Sequence, residues 1–147
     1  MKRAPASPGL NPAAVTLGYA GLLPFVLGAL LVWLVHPEVQ PYVTLSLAGY
    51  GAVVLSFLGG IQWGLAFRQQ VPSPAPYAWG AVPPLGAWVA VVMPAYAGLV
   101  VLGAMLVASY LVDRRLYPAL GARAWLVPRL RLTALASLCC FLAAAGV

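Results

Sequence analysis

Few side chains in this sequence can do chemistry, and they fall at two places. The first is Gly59-Gly60-Ile61-Gln62-Trp63-Gly64, where Gln62 carries the most polar group inside any long apolar run and Trp63 stands beside it. An amide in hydrocarbon needs hydrogen-bond partners, so Gln62 is expected to face inward with Trp63 anchored at the interface. It reads either as a fastener between helices or as a ligand contact. The second place is Asp113-Arg114-Arg115, directly after another apolar run. The arginines suit a helix C-terminus, but an acid there opposes the helix dipole and asks for a cationic partner. Arg68 or one of Asp113's own neighbours is the expected partner, and the group reads either as a charge-paired hinge or as a site for an anionic headgroup.

Other chemistry lacks its residue types. One histidine, His36, and two adjacent cysteines, Cys139 and Cys140, cannot assemble a ligand set for haem, copper or zinc, so no metal or cofactor is expected. The cysteines are too close in sequence for an unstrained disulfide and read as packed or lipid-facing thiols. Ser56, Ser109 and Ser137 have no base near them, and no Asp, Glu, Lys, Arg or His lies in the core of an apolar run. Nucleophilic catalysis and charge-coupled transport therefore find no support, and the chain is expected not to be an enzyme.

The elements that position these residues follow from composition. With 63% apolar and 7% charged residues over 147 positions, lipid is the expected solvent. The long uniform apolar runs have no period-2 alternation, which predicts one all-α bundle of transmembrane helices rather than a barrel. Asn11-Pro12 starts the first span as N-cap and first helical residue, and 13–35 is too long for the apolar core of a secretory signal. Pro24 should kink it. The second span is 42–67. Residues 77–112 would make one helix of about 54 Å, well over the ~30 Å hydrocarbon core, so Pro94 should divide them into 77–93 and 96–112. A connector at 113–131 is expected to lie in the headgroup layer, and 132–147 is the fifth span, short enough that Arg129 and Arg131 must snorkel.

Charge then orients the chain. Lys2, Arg3, Arg68, Arg114, Arg115, Arg123, Arg129 and Arg131 all fall on one side of a five-crossing path, which predicts the N-terminus in the cytoplasm and the C-terminus outside. A re-entrant hairpin over 77–112 would leave the same charge count. The basic residues sit in loops beside apolar runs, which points to the lipid bilayer and anionic headgroups as partners and away from nucleic acid.

The second span carries Thr44, Ala48, Ala52, Ser56, Gly60 and Gly64 at steps of four, a face on which another backbone can approach closely. It is expected to pack against spans one and three of the same chain; a face for a second copy is the alternative.

Leu17 to Phe25, Ser56 to Ala66 around Gly-Gly-Ile-Gln-Trp-Gly, and Asp113 to Leu116 resemble a family of small membrane proteins classed as domain of unknown function 3429, whose animal relative is transmembrane protein 69. The resemblance runs over nearly the whole chain. It implies a multi-pass protein of the bacterial inner membrane, with no activity, cofactor or substrate attached. It also implies His more often where Gln62 stands here. The expected function is a non-enzymatic scaffold, accessory subunit or assembly helper of a membrane complex. A small oligomeric transporter or channel is the alternative, and a headgroup-level lipid-binding or lipid-modifying protein a third.

Overall fold

The computed structural model describes residues 9–70 and 73–147, and the described chain is helical. Lys2 and Arg3, counted above among the orienting charges, lie outside these residues. Six helices follow in order: α1 (Pro12–Ala20), α2 (Leu23–Leu34), α3 (Gln40–Ala66), α4 (Pro74–Val92), α5 (Ala95–Leu116) and α6 (Leu126–Gly146), with a 3₁₀ turn at Arg123–Trp125 before the last.

Asn11 caps α1 as its sequence suggests, its side chain accepting from the Ala13 N–H at 2.9 Å. The first span is not one kinked helix, because α1 stops at Ala20 and α2 starts at Leu23. The cause is still Pro24. It has no N–H to offer the Ala20 carbonyl, and its ring would collide with that carbonyl, so the break falls a turn ahead of the proline. The Gly21 carbonyl exposed there accepts from the Tyr50 hydroxyl of α3 at 2.6 Å.

Antiparallel neighbours fix the two ends of the bundle. At one end Gln40, opening α3, donates through Nε2 to the Val32 carbonyl of α2 at 3.0 Å and to the Gly146 carbonyl of α6 at 2.9 Å. At the other end the last turns of α3 and α5 meet the first turns of α6. Phe25, Leu47, Leu55, Leu99, Leu102 and Leu106 fill the interior between these ends. Four stretches are long and apolar enough to cross a membrane: Pro12–Leu34, Gln40–Ala66, Ala95–Leu116 and Arg123–Gly146. The third of the expected crossings, α4, falls short on composition, since Pro74, Pro76, Pro83 and Pro84 all lie within its 19 residues.

Two boundaries differ from expectation. The division at Pro94 is present, but α5 continues to Leu116 and α6 begins at Leu126. Residues 113–131 are therefore not one interfacial connector. Only a short turn region separates two long helices, and Arg129 stands inside α6.

The expected small-residue face on α3 is also corrected. Thr44 and Ala48 are buried and Ala52 is half-buried, but Ser56, Gly60 and Gly64 are exposed, and a Cβ built at Gly60 or Gly64 would meet nothing within 4 Å. The close approach involves Gly59 instead. A Cβ at Gly80 of α4 would stand 2.7 Å from the Gly59 carbonyl, and one at Gly59 would overlap the Gly80 carbonyl and touch Pro84. Pro84 withholds the N–H that would otherwise bond that carbonyl. Leucine at Gly59 must therefore separate α3 from α4, costing about 1–3 kcal/mol as overpacking does in tight interiors. Leucine at Gly60 meets only open space. Thermal melts of the two variants in mild detergent should show a clear drop for Gly59→Leu and a value close to that of the parent for Gly60→Leu.

Candidate functional site

The polar groups inside the bundle converge on Asp113, in the last turn of α5. Its side chain is fully buried. One carboxylate oxygen accepts from Gln62 Nε2 of α3, and the other accepts from an Arg129 Nη of α6 at 2.6 Å. The second Nη of Arg129 donates to Thr133 Oγ1 at 3.0 Å. Arg129 and Thr133 are four residues apart, hence one above the other on the inward face of α6. Ser137 extends the row, its hydroxyl donating to the Thr133 carbonyl at 2.6 Å. Asp113 and Arg129 are 0% and 6% exposed, so this charge pair is almost wholly removed from solvent.

Such burial makes the pair directional in its effect. Two charges taken out of water recover the desolvation cost only if geometry and extra hydrogen bonds are good, and removing one partner leaves a bare charge in a low-dielectric interior. Here Gln62 and Thr133 supply the extra bonds. The result is a latch through three helices at one depth. Three polar atoms around it make no hydrogen bond among the described residues: Gln62 Oε1, Arg129 Nε and the Tyr117 hydroxyl. Tyr117 follows α5 and is buried beside the pair. Burial, and then the nearby Asp113 charge, push its phenol up to about 12, so it keeps its proton and stays a donor at physiological pH.

The residues singled out from sequence are thus divided. Gln62 and Asp113 come together, although nothing in their spacing requires it. The expected partner of Asp113 is corrected: Arg68, Arg114 and Arg115 are exposed, and Arg129 takes the role. The expectation that Arg129 snorkels is likewise corrected, while Arg131 is exposed. Trp63 lies outside the latch. Its indole N–H donates to the Tyr77 carbonyl at 2.9 Å and its ring meets Phe67 and Tyr77 edge-on, which fixes the end of α3 to the start of α4. Sequence reasoning missed Arg129, Thr133 and Tyr117. The available signal was the spacing of four between Asp113 and Tyr117 and between Arg129 and Thr133, legible only once both stretches are taken as helix. Among the described residues no group of three or more His, Cys, Asp or Glu could hold a metal ion.

A model of one protein family, described as a protein of unknown function (DUF3429), matches residues 10–145. The chain belongs to this family. A curated relative, transmembrane protein 69 of Xenopus tropicalis, is 44% identical over 82 residues, which is 52% of this chain and 31% of that protein. The chain thus matches under a third of that relative's length. With the apolar helices, this similarity makes the chain a membrane protein. No solved structure matches it.

The latch has a simple energetic signature. Arg129→Leu should lower stability by about 3–5 kcal/mol, the scale for orphaning one member of a buried pair, and Gln62→Leu by about 1–3 kcal/mol. Replacing both charges, as Asp113→Leu with Arg129→Leu, should recover much of the single-variant loss. Melting curves of the parent, Asp113→Leu, Arg129→Leu and the double variant in one detergent read the whole cycle, with Gln62→Leu measured beside them.

Proposed function

We propose that the chain is a multi-pass protein of the bacterial inner membrane, crossing five times with its N-terminus in the cytoplasm, and that it works without catalysis as an accessory subunit or assembly helper of a larger membrane complex. One observation carries the reading. Among the described residues the one buried acid and the one buried base are spent on each other in holding α3, α5 and α6 together, while α3 turns Ser56, Gly60 and Gly64 outward as a low ridge. A rigid interior with a ridge on which a foreign backbone can lie closely is what a helix-binding subunit needs in lipid, where association depends on packing rather than on the hydrophobic effect.

The crossing pattern is supported by the helix directions. Arg68, Arg114, Arg115, Arg123 and Arg131 cluster at the latch end, whereas His36 and Glu38 lie at the end closed by Gln40. A single basic end is what cytoplasmic placement predicts. For α4, 19 helical residues span about 28 Å, close to the hydrocarbon thickness, and α4 lies along both α3 and α5, which favours a true crossing over a re-entrant hairpin.

Reporter fusions after Gln70 and after Val147 should report opposite compartments, the first cytoplasmic. If both report the cytoplasm, one of α4, α5 and α6 does not cross. Gentle-detergent purification followed by mass spectrometry should recover other membrane proteins in fixed ratio, and Gly60→Leu should reduce that recovery while leaving the protein folded. Ser56→Cys that oxidises efficiently to a homodimer, with no other subunit recovered, would favour the alternative of a small oligomeric transporter or channel.

A further inference from the structure

A cavity of about 570 Å³ lies between the α1–α2 elbow, α3 and α6. That volume falls in the ordinary range for a ligand site, roughly 300–1,000 Å³. Its long wall is apolar, formed by residues such as Phe25, Val54 and Ile61, and one end is different in kind: Tyr117, Trp125, Arg129 and Thr133 line it there. Over this space stands α1, none of whose residues is buried. The helix lies across the cavity without filling it.

The polar end specifies what would fit. Tyr117 and Arg129 are both more than nine-tenths buried, and among the described residues neither the phenol O–H, which stands beside the Asp113 carboxylate, nor the guanidinium Nε–H makes a hydrogen bond. Both are donors, so the missing partner is an oxygen that accepts. Both Nη atoms of Arg129 are engaged, and Asp113 already neutralises its charge. A second anion at that depth would face Asp113, whereas a neutral carbonyl would not. The exterior of the same end carries the opposite demand. Arg123 lies between the lining residues Ala122 and Trp125, and Arg114, Arg115 and Arg131 are exposed around it. The other acid of the chain, Glu38, is at the far end.

An apolar tail, then a neutral carbonyl, then an anionic head is the order of groups along a glycerophospholipid. We propose that the cavity holds one acyl chain of an anionic glycerophospholipid, with its ester carbonyl at Tyr117 and Arg129 and its phosphate head at the arginine-rich end. The proposal is independent of the complex-forming role above, since the ridge of α3 takes no part in it. An isoprenoid quinone shares the tail and the neutral carbonyl but has no charge for the arginines to meet.

The test uses the full chain in nanodiscs made from equal amounts of phosphatidylglycerol and phosphatidylethanolamine with the same acyl chains. Native mass spectrometry after release should show one retained lipid per protein, with phosphatidylglycerol favoured. The combined variant Arg123→Gln with Arg131→Gln should keep the lipid but lose the preference, by about fivefold per arginine, the worth of one basic residue near an anionic surface. Gly18→Trp, which directs a large side chain from α1 into the cavity, should abolish retention. A phosphatidylglycerol carrying a diazirine on its acyl chain provides a reading that needs no variant, and should label Val54 or Ile61 in the parent protein. Equal retention of the two lipids, unaltered retention in Gly18→Trp, labelling confined to outward residues such as Val53 or Leu111, or recovery of a quinone in place of a phospholipid from cell membranes would each overturn the assignment.

Discussion

An ionised carboxylate cannot be left alone among hydrocarbon side chains, and the arrangement of this bundle follows from how Asp113 is accommodated. Its two oxygens face different helices, one accepting from Gln62 and the other from Arg129. That requirement sets the depth at which α3, α5 and α6 meet, and with it the length of α6, which must begin early enough to present Arg129 inward. In lipid the apolar contacts between these helices gain little over contacts with acyl chains, so a polar fastening has unusual weight in fixing register. Gln40 performs a neutral version of the same task at the opposite end, joining α2, α3 and α6 through two backbone carbonyls.

Between these fastenings the helices approach where side chains are small. The buried positions of α3 are Thr44, Leu47, Ala48, Gly51, Leu55, Leu58, Gly59, Gln62 and Ala66, which recur at helical spacing along one face. The tightest contact, Gly59 against Gly80, sits on this seam, at the place where Pro84 has already left a carbonyl of α4 without its usual donor. A proline that would weaken an isolated helix is tolerated here because the neighbouring backbone lies so close.

Much of this was legible in the residues. The all-helical class, the division at Pro94, a disturbance of the first span at Pro24 (a kink by expectation, a full break in the structure) and the inward position of Gln62 each follow from a local rule about unpaired backbone or side-chain groups. What was not legible failed for physical reasons. A row of small residues at steps of four advances 400° per step and so turns by about 40° each time relative to the helix surface. It begins at Thr44 facing the interior and reaches Gly60 facing outward, so a list of small residues is not a face. The partner of Asp113 was missed because arginine near the end of an apolar run marks the membrane boundary in most chains. Treating Arg129 and Arg131 alike as end markers delayed the start of α6 and moved into a loop the one cation that turns inward among the described residues.

The separation of Asp113 from Arg129 along the chain, sixteen residues, has a consequence for biogenesis. The acid is synthesised before its base. Until the first turn of α6 has folded back onto α5, Asp113 has only Gln62 to satisfy it within the bundle, so the end of α5 cannot take its final buried place. Docking of α5 therefore depends on the segment that follows it, and a chain truncated before residue 129 would leave α5 incompletely docked.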